Sequence, residues 1–296
     1  MSTIANDIQT IGFVGLGVMG APMAGHLLQS GRRVLAYNRT PAKAEAWKAR
    51  FPNGETVDSL VELAKQVDVV ALCIGKDNDV RETVAAMLPY LKEGAVIIDH
   101  TTTSSALSEE MSALCAKQGV SFLDCPVSGG QAGAENGKLT VMVGGDETAF
   151  KRIQPILALY SQFQQYFGPS GSGQGAKMVN QILVVSTLQG LSEGITLAKS
   201  LKLDIPNLVD TLKRGAAGSW QLEHRGVTMS EGKFDFGFAI DLVIKDLGIV
   251  TDCAHSLALN LPLTEETLQR YRQISAAGHG REDTSALIRQ FDSPSE

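Results

Sequence analysis

The sequence contains few cysteines and no long apolar run, and both shortages narrow the class of protein. Its four cysteines, Cys73, Cys115, Cys125 and Cys253, are widely spaced, so the chain shows no disulfide framework. Its apolar stretches fall far short of the roughly 18 residues that cross a bilayer. The N-terminus, MSTIANDIQT, lacks the basic-then-apolar layout of a signal peptide. We therefore expect a cytoplasmic protein without a membrane partner.

An excess of basic residues is also missing. The 26 Lys and Arg residues are outnumbered by 32 Asp and Glu residues, for a formal net charge of −6, so no positive field attracts nucleic acid. Four of the histidines, His100, His224, His255 and His279, are scattered without metal-ligand spacing. The sequence thus predicts neither a nucleic-acid partner nor a metal site.

The length and composition are those of a globular protein with two domains: 296 residues, 44% hydrophobic and 20% charged. From Thr10 to about Asp99, short apolar runs alternate with longer helical segments, which predicts βαβ units and a mostly parallel sheet. The runs are nearly continuous, as in strands that helices cover on both faces. The predicted strands are Ile11–Val14, Val34–Tyr37, Val67–Ile74, Ala95–Ile98, Ser121–Leu123, Leu139–Val143 and Gln164–Phe167.

The pattern changes after Pro169. A Gly/Ser segment leads into a proline-free run from Gln174 to Leu201, whose apolar residues recur every three or four positions, and this predicts one long helix. Further helices are predicted from Pro206 to Gly215 and from Thr264 to Gly278. We expect an α/β domain over residues 1–169, followed by an all-helical domain over residues 170–296.

A glycine-rich turn follows the first predicted strand. Ile11–Val14 runs directly into Gly15-Leu16-Gly17-Val18-Met19-Gly20 and then into an apolar helix, which is a G-x-G-x-x-G motif in strand–turn–helix context. The first glycine permits the tight turn, the second lets a pyrophosphate approach the backbone, and the third lets helix and strand pack closely. The motif predicts a Rossmann domain that binds a dinucleotide. The alternative is a glycine-rich turn without a ligand.

The second predicted strand ends at Asn38-Arg39-Thr40, near the position where an NAD enzyme carries an acidic residue for the adenosine ribose. A carboxylate would repel a 2′-phosphate, whereas this segment offers an amide, a cation and a hydroxyl. We therefore expect NADP as the preferred cofactor, with NAD possible. The alternative is that Arg39 is an ordinary solvated arginine.

A second cluster of small residues contains Ser128, Gly129 and Gly130. Free backbone N–H groups and a hydroxyl at the end of a strand can form a concave anion site, and a substrate carboxylate is the natural occupant. A tight structural turn would have the same composition.

Four segments, in the order GFVGLGVMGAPMA, DCPVSGGQAGAENGKLTVMVGG, GQGAKMVNQ and IKDLGI, resemble the signatures of the β-hydroxyacid dehydrogenase family. The resemblance covers essentially the whole chain. It implies an NADP-binding Rossmann domain, a helical C-terminal domain and a catalytic cleft between them. It also implies that Ser128, Gly129 and Gly130 bind the substrate carboxylate, that Lys177 is catalytic, that Thr102 contacts the nicotinamide side and that Lys245 is a further cleft contact.

The sequence departs from the family pattern in two short segments. Gly75 stands where the family often has a proline, and the following Ser-Thr stretch reads Thr101-Thr102-Thr103. We still place Ile74 and Thr102 among the cofactor contacts, together with Phe238 and Lys245 from the second domain. Trp220 is a further aromatic candidate for the cleft, although aromatics at helical spacing are more often core.

Lys177 follows the glycines that open the long helix, and Asn180 and Gln181 lie three and four residues further on, on the same helical face. A lysine can give a proton to a developing alkoxide and supply a cation beside it, and Asn180 can bind the substrate hydroxyl. From the residue alone, Lys177 could equally be a solvated lysine at a helix end. Lys245 lies four residues after Asp241 on a predicted helix, so the simplest interpretation is that the two form an intrahelical ion pair.

These features favour an NADPH-dependent reductase of small aldehyde or keto acids that also runs reversibly as a 3-hydroxyacid dehydrogenase. Two alternatives are an imine reductase-like enzyme, which generally lacks the lysine, and a non-catalytic dinucleotide-binding module. A 6-phosphogluconate dehydrogenase is disfavoured, because its usual helical domain is longer than the segment that follows the first domain here. The apolar long helix suggests a homodimer or homotetramer.

Overall fold

The computed structural model describes residues 8–292. The chain divides after Lys177 into two compact units, and each is described by itself. The predicted domain boundary at residue 169 stays a prediction. Within the described residues the first unit is α/β, with a mostly parallel sheet, and the second is helical. The predicted fold class is confirmed.

The first unit contains one sheet, with nine strands among the described residues. The strands are β1 Thr10–Val14, β2 Arg33–Tyr37, β3 Glu55–Thr56, β4 Val69–Leu72, β5 Val96–Asp99, β6 Ser121–Asp124, β7 Val127–Ser128, β8 Leu139–Gly144 and β9 Ser161–Gly168. Their order in the sheet is β3-β2-β1-β4-β5-β6-β8-β7, and β9 pairs with β8. Pairing is parallel from β3 through β6, antiparallel for β8 with β6 and β7, and parallel for β8 with β9.

The central strands read as continuous apolar runs because both faces of the sheet are covered. In β4, Val69 and Ala71 belong to one buried cluster, whereas Val70 and Leu72 belong to another. The helices that cover the two faces are α1 Gly20–Gln29, α2 Pro41–Arg50, α3 Leu60–Ala64, α4 Asp77–Met87, α5 Ser105–Ala116, α6 Gly130–Glu135 and α7 Glu147–Leu157.

The order of the strands creates a switch point at β1. The chain goes from β1 to β2 and β3 on one side, and then returns to β4, β5 and β6 on the other. The carboxyl ends of these parallel strands meet at one edge of the sheet, and ligands of open α/β sheets bind where the strand order reverses. Residues that follow β1, β2, β4, β5 and β6 are therefore the candidates for binding.

Helix α8, Ser172–Ser200, confirms the predicted long helix and contains the division between the units. The later helices begin slightly earlier than predicted, because Asp204 caps α9 through its side chain and Pro262 opens α12. They are α9 Ile205–Leu212, α10 Trp220–Ser230, α11 Ile240–Ser256 and α12 Pro262–Ile274, followed by a π-helical turn, Ser275–His279, and a 3-10 segment, Thr284–Phe291.

The second unit has its own apolar core. Tyr271 of α12 is fully buried, and its hydroxyl donates to the Thr284 carbonyl at 3.0 Å, which ties the 3-10 segment to the helices. Gly278 has a φ of +98°, so it marks the end of the predicted last helix. Among the described residues, no helix is long and apolar enough to cross a membrane.

Candidate active site

The three glycines of the G-x-G-x-x-G turn differ in what the fold requires of them. Gly15 has a φ of +98°, and a Cβ there would lie 2.1 Å from the Cys73 carbonyl oxygen. A Cβ on Gly20 would lie 1.9 Å from the Gly15 carbonyl oxygen. A Cβ on Gly17 would meet nothing within 4 Å. Two glycines are thus needed for the turn and for packing, while Gly17 faces open space that can accommodate a dinucleotide phosphate.

The start of α1 also suits an anion. Met19 is its N-cap and makes no side-chain hydrogen bond to the first turn, which contains no acidic residue. The backbone N–H groups of a helix start carry partial positive charge and attract phosphate. The turn Gly15–Gly20 therefore fits the pyrophosphate of a dinucleotide.

The segment after β2 has two different roles. Asn38 Oδ1 accepts a hydrogen bond from the Leu16 amide at 2.9 Å, and Asn38 Nδ2 donates to the Thr40 carbonyl at 3.0 Å. Asn38 therefore stabilises the glycine-rich turn, a role that the sequence did not predict. The Arg39 side chain is 83% exposed and forms an ion pair with Asp79 at 3.0 Å. Such an exposed pair is weak, so the guanidinium can exchange partners.

The loops after β4 and β5 are joined by side-chain hydrogen bonds. The Ile74 amide donates to Thr101 Oγ1 at 3.1 Å, so these loops hold each other at the edge of the sheet. Gln174 Nε2 donates to the Thr101 carbonyl at 2.7 Å, and its Oε1 accepts from the Thr103 amide at 3.2 Å. Thr102 thus lies between the Thr101 carbonyl and the Thr103 amide, both of which are hydrogen-bonded to the Gln174 side chain.

The predicted carboxylate site begins at β7. Gly129 and Gly130 have φ values of +127° and +60°, which favour glycine. Lys177 Nζ donates to the Val127 carbonyl at 2.9 Å, directly before Ser128. The lysine side chain is buried, with 8% of the residue exposed, so it is not the solvated lysine of the alternative reading. The structure brings the predicted catalytic residue to the start of the predicted anion site.

Asp124, at the end of β6, fixes the start of the helix that carries Lys177. Its two carboxylate oxygens accept hydrogen bonds at 2.9 Å from the amides of Gly171 and Gln174. Burial raises the pKa of the Asp124 carboxyl, against the opposing effect of backbone hydrogen bonds that include these two. A Cβ on Gly173 would lie 2.6 Å from the Asp124 carbonyl oxygen, so the close approach requires that glycine. Neither Asp124 nor Gln174 is among the site residues predicted from the sequence.

In the second unit, polar residues of α8 and α11 form a short chain of hydrogen bonds. Asn180 Nδ2 donates to Gln181 Oε1 at 2.8 Å, and Gln181 Nε2 donates to Asp246 Oδ2 at 2.7 Å. Lys245 Nζ lies 3.2 Å from Asp246 Oδ1. Asp241 instead accepts from the Ser275 hydroxyl at 2.7 Å. Lys245 thus forms an ion pair with its neighbour in the chain, and the alternative pairing with Asp241 stays a prediction.

The aromatic candidates differ in exposure. Phe238 packs against the apolar core of the second unit, and its carbonyl accepts from the Thr284 amide at 2.8 Å. Trp220 is 53% exposed and stacks on His224 with ring centroids 4.5 Å apart. Their predicted places near a ligand stay predictions.

His100 has a structural environment, as the scattered histidines suggested. Its Nδ1 donates to the Cys125 carbonyl at 2.7 Å, and its Nε2 lies 2.9 Å from the Tyr160 hydroxyl. Because a carbonyl can only accept, Nδ1 carries the proton and Nε2 accepts from Tyr160. Burial lowers the pKa of His100 to about 4 from its ordinary 6.5.

We expect acid to destabilise the protein through His100. Between about pH 6.5 and 4 the unfolded chain binds a proton at this position and the folded chain does not, so stability falls by up to about 1.4 kcal/mol per pH unit. The measurement is the free energy of unfolding by urea from about pH 7 to pH 5. His100→Gln should show a shallower slope, whatever its stability at neutral pH; equal slopes would contradict this role.

Comparisons with known proteins agree with the geometry. A family model described as the NAD binding domain of 6-phosphogluconate dehydrogenase matches residues 10–168. A second, described as NAD-binding of NADP-dependent 3-hydroxyisobutyrate dehydrogenase, matches residues 171–291. The two matches meet close to the start of α8.

The similar proteins include enzymes of hydroxy acids. The chain is 44% identical to an oxidoreductase of Shewanella frigidimarina, over 95% of this chain and 98% of that protein. It is 32% identical to the 2-hydroxy-3-oxopropionate reductase of Escherichia coli, over 95% of this chain and 97% of that protein. The solved structure of 3-hydroxyisobutyrate dehydrogenase from Mycobacterium tuberculosis with L-serine has a TM-score of 0.86, with 30% identity over 97% of this chain and 100% of that one.

Imine reductases are more distant. The Streptomyces aurantiacus enzyme has a TM-score of 0.66 with 16% identity, over 96% of this chain and 100% of that one, which shows a shared fold alone.

The fold, the glycine-rich turn and these matches define an NAD(P)-dependent oxidoreductase that acts on CH–OH groups. The chain belongs to the β-hydroxyacid dehydrogenase family. Its cofactor is a nicotinamide dinucleotide and its substrates are small molecules of the 3-hydroxyacid or semialdehyde kind.

Proposed function

We propose that the protein is an NADPH-dependent reductase of small aldehyde or keto acids, which runs reversibly as a 3-hydroxyacid dehydrogenase. The observation that carries the proposal is the hydrogen bond from Lys177 Nζ to the Val127 carbonyl at 2.9 Å. It places a buried ammonium group directly before Ser128, Gly129 and Gly130. A proton donor beside an anion site suits a substrate that bears both a carbonyl group and a carboxylate.

The residues divide the chemistry between them. The turn Gly15–Gly20 and Arg39 hold the dinucleotide, which supplies a hydride when bound. The Lys177 ammonium gives a proton to the oxygen that becomes the alcohol, and its charge stabilises negative charge that develops there. The Ser128 hydroxyl and the neighbouring amides bind the substrate carboxylate. Asn180 binds and orients the hydroxyl group of the hydroxy acid.

Substrate choice tests the proposal. We expect NADPH oxidation with tartronate semialdehyde, methylmalonate semialdehyde, succinic semialdehyde or glyoxylate, and much less with aldehydes of equal size that lack a carboxylate. The L-serine in the M. tuberculosis structure is itself a 3-hydroxy acid, which supports this class. Equal rates with and without the carboxylate would contradict the anion site. Turnover of cyclic imines in place of acids would favour the imine-reductase alternative.

Arg39 is the basis for proposing NADP over NAD, and the family description of an NADP-dependent enzyme supports it. Arg39→Ala should weaken NADPH binding by about 1.5–3 kcal/mol, the usual worth of a hydrogen bond to a charged group. NADH has no 2′-phosphate, so its binding should barely change. Fluorescence titration of both cofactors measures the difference.

Arg33 provides a matched control for that titration. It lies at the amino end of β2, whereas Arg39 follows the carboxyl end, and it forms an exposed ion pair with Glu55 at 2.7 Å. Arg33→Ala removes the same charge at the opposite end of β2 and should leave the affinities for NADPH and NADH unchanged. If Arg39→Ala weakens NADPH and NADH equally, Arg39 does not select the cofactor.

A further inference from the structure

The side-chain amide of Gln174 holds the backbone on both sides of Thr102. The side chain is fully buried. Its Nε2 donates to the Thr101 carbonyl at 2.7 Å, and its Oε1 accepts from the Thr103 amide at 3.2 Å. Because the Thr101 carbonyl only accepts and the Thr103 N–H only donates, the two ends of the amide cannot be exchanged.

The backbone of the same residue is fixed as firmly. The Gln174 amide N–H donates to Asp124 Oδ2 at 2.9 Å, while Asp124 Oδ1 accepts from the Gly171 amide. Gln174 lies three residues before Lys177 on α8, so it is almost one helical turn away. One residue therefore connects the Thr102 loop, the end of β6 and the helix that carries the lysine.

We propose that Gln174 is a positioning residue that sets Thr102 relative to Lys177. The inference rests on the proposed function, in which Thr102 contacts the nicotinamide side and Lys177 gives the proton. Hydride and proton must arrive at adjacent atoms of one carbonyl group, and a displacement of about 1 Å can cost about 100-fold in rate. Gln174 makes the loop on the hydride side and the helix on the proton side parts of one hydrogen-bonded unit.

Gln174→Glu tests this link at nearly constant shape. An ionised carboxylate still accepts from the Thr103 amide but cannot donate to the Thr101 carbonyl, which it repels. As the pH falls and the new carboxyl group takes up a proton, its O–H can donate to Thr101 again. We expect kcat at about pH 8 to fall about 10- to 100-fold relative to the unchanged protein. The deficit should shrink as the pH falls, because burial at this position raises the pKa of the new carboxyl group and favours the protonated form that restores the donor.

Two further readouts separate positioning from general damage. The dissociation constant for NADPH should stay within about threefold, because the phosphate contacts lie elsewhere. The deuterium isotope effect with 4-deuterated NADPH should rise, because hydride transfer becomes the slower step. Gln174→Met, which keeps the length of the side chain but removes both hydrogen bonds, should lose a similar factor at every pH. It also keeps the test decisive if the glutamate variant does not fold.

Gln164→Glu is the matched control. Gln164 lies on β9, and its Nε2 donates to the Ser161 hydroxyl at 2.7 Å. The same substitution therefore removes a side-chain donor in the same unit, away from the Thr102 loop. Its kcat should equal that of the unchanged protein across the pH range.

The outcome separates this inference from the proposed function when Lys177→Met is measured in parallel. If Lys177→Met loses turnover while both Gln174 variants keep normal kcat and isotope effects, the positioning role is wrong and the proposed function stands. If Lys177→Met keeps turnover, the proposed function itself is wrong.

Discussion

Replacing Lys177 with methionine is expected to lower turnover by about 10²- to 10⁴-fold, the usual contribution of general acid catalysis. Lys177 is buried and its Nζ is held at the Val127 carbonyl, so its ammonium group has a defined position. Methionine keeps the packing of the stem but removes both the proton and the charge. The affinity for NADPH should stay near normal, because the proposed phosphate contacts lie at Gly15–Gly20 and Arg39. Single-turnover kinetics and fluorescence titration measure the two effects separately.

Two variants make the result specific. Lys177→Arg should not rescue turnover, because a guanidinium keeps the charge but does not release its proton in proteins. Lys151→Met removes an exposed lysine of the same unit, paired with Glu147 on α7, and should behave as the unchanged protein. A Lys177→Met enzyme with near-normal turnover, when hydride transfer is shown to limit the rate, would remove Lys177 from the mechanism.

The parts of the fold that the sequence predicts are those with a local cause. The apolar runs of β1, β4 and β5 are readable because buried parallel strands need apolar residues on both faces. The strands β3 and β7 contain two residues each, too few for any period. The antiparallel pairing of β8 with β6 and β7 is not readable as a hairpin, because α6, Gly130–Glu135, interrupts the connection from β7 to β8, and hairpin turns are about two to five residues long.

The same distinction applies to the site. The turn Gly15–Gly20 is visible because strand, turn and helix follow one another in the chain. Asp124 and Gln174 act on backbone groups 50 and 71 residues away, so their roles appear only in the folded chain. The one indication in the sequence is that each is a polar residue next to apolar or small residues. Asp124 follows the apolar residues of β6, and Gln174 lies between two glycines.

Replacing Gly17 with valine is expected to abolish most cofactor binding while the fold stays intact. A Cβ at Gly17 meets nothing within 4 Å, and the backbone there has no positive φ, so the protein itself tolerates a side chain. The valine would occupy the space through which a pyrophosphate reaches the N–H groups at the start of α1. Loss of two charge-assisted hydrogen bonds, at about 1.5–3 kcal/mol each, corresponds to about 100-fold weaker binding or more. NADPH and NADH should lose affinity together, since both contain the pyrophosphate.

Gly20→Ala is the contrasting variant within the same turn. Its Cβ would lie 1.9 Å from the Gly15 carbonyl oxygen, which is backbone and cannot move aside. We therefore expect Gly20→Ala to lower the melting temperature and to lose cofactor binding because the turn is distorted. Gly17→Val should have the same melting temperature as the unchanged protein. Calorimetry without NADPH distinguishes the two variants by their melting temperatures. Calorimetry with NADPH then tests binding, because only a variant that still binds is stabilised by the cofactor. If Gly17→Val retains that stabilisation in full, the turn is a structural feature of the first unit and the dinucleotide phosphates are held elsewhere.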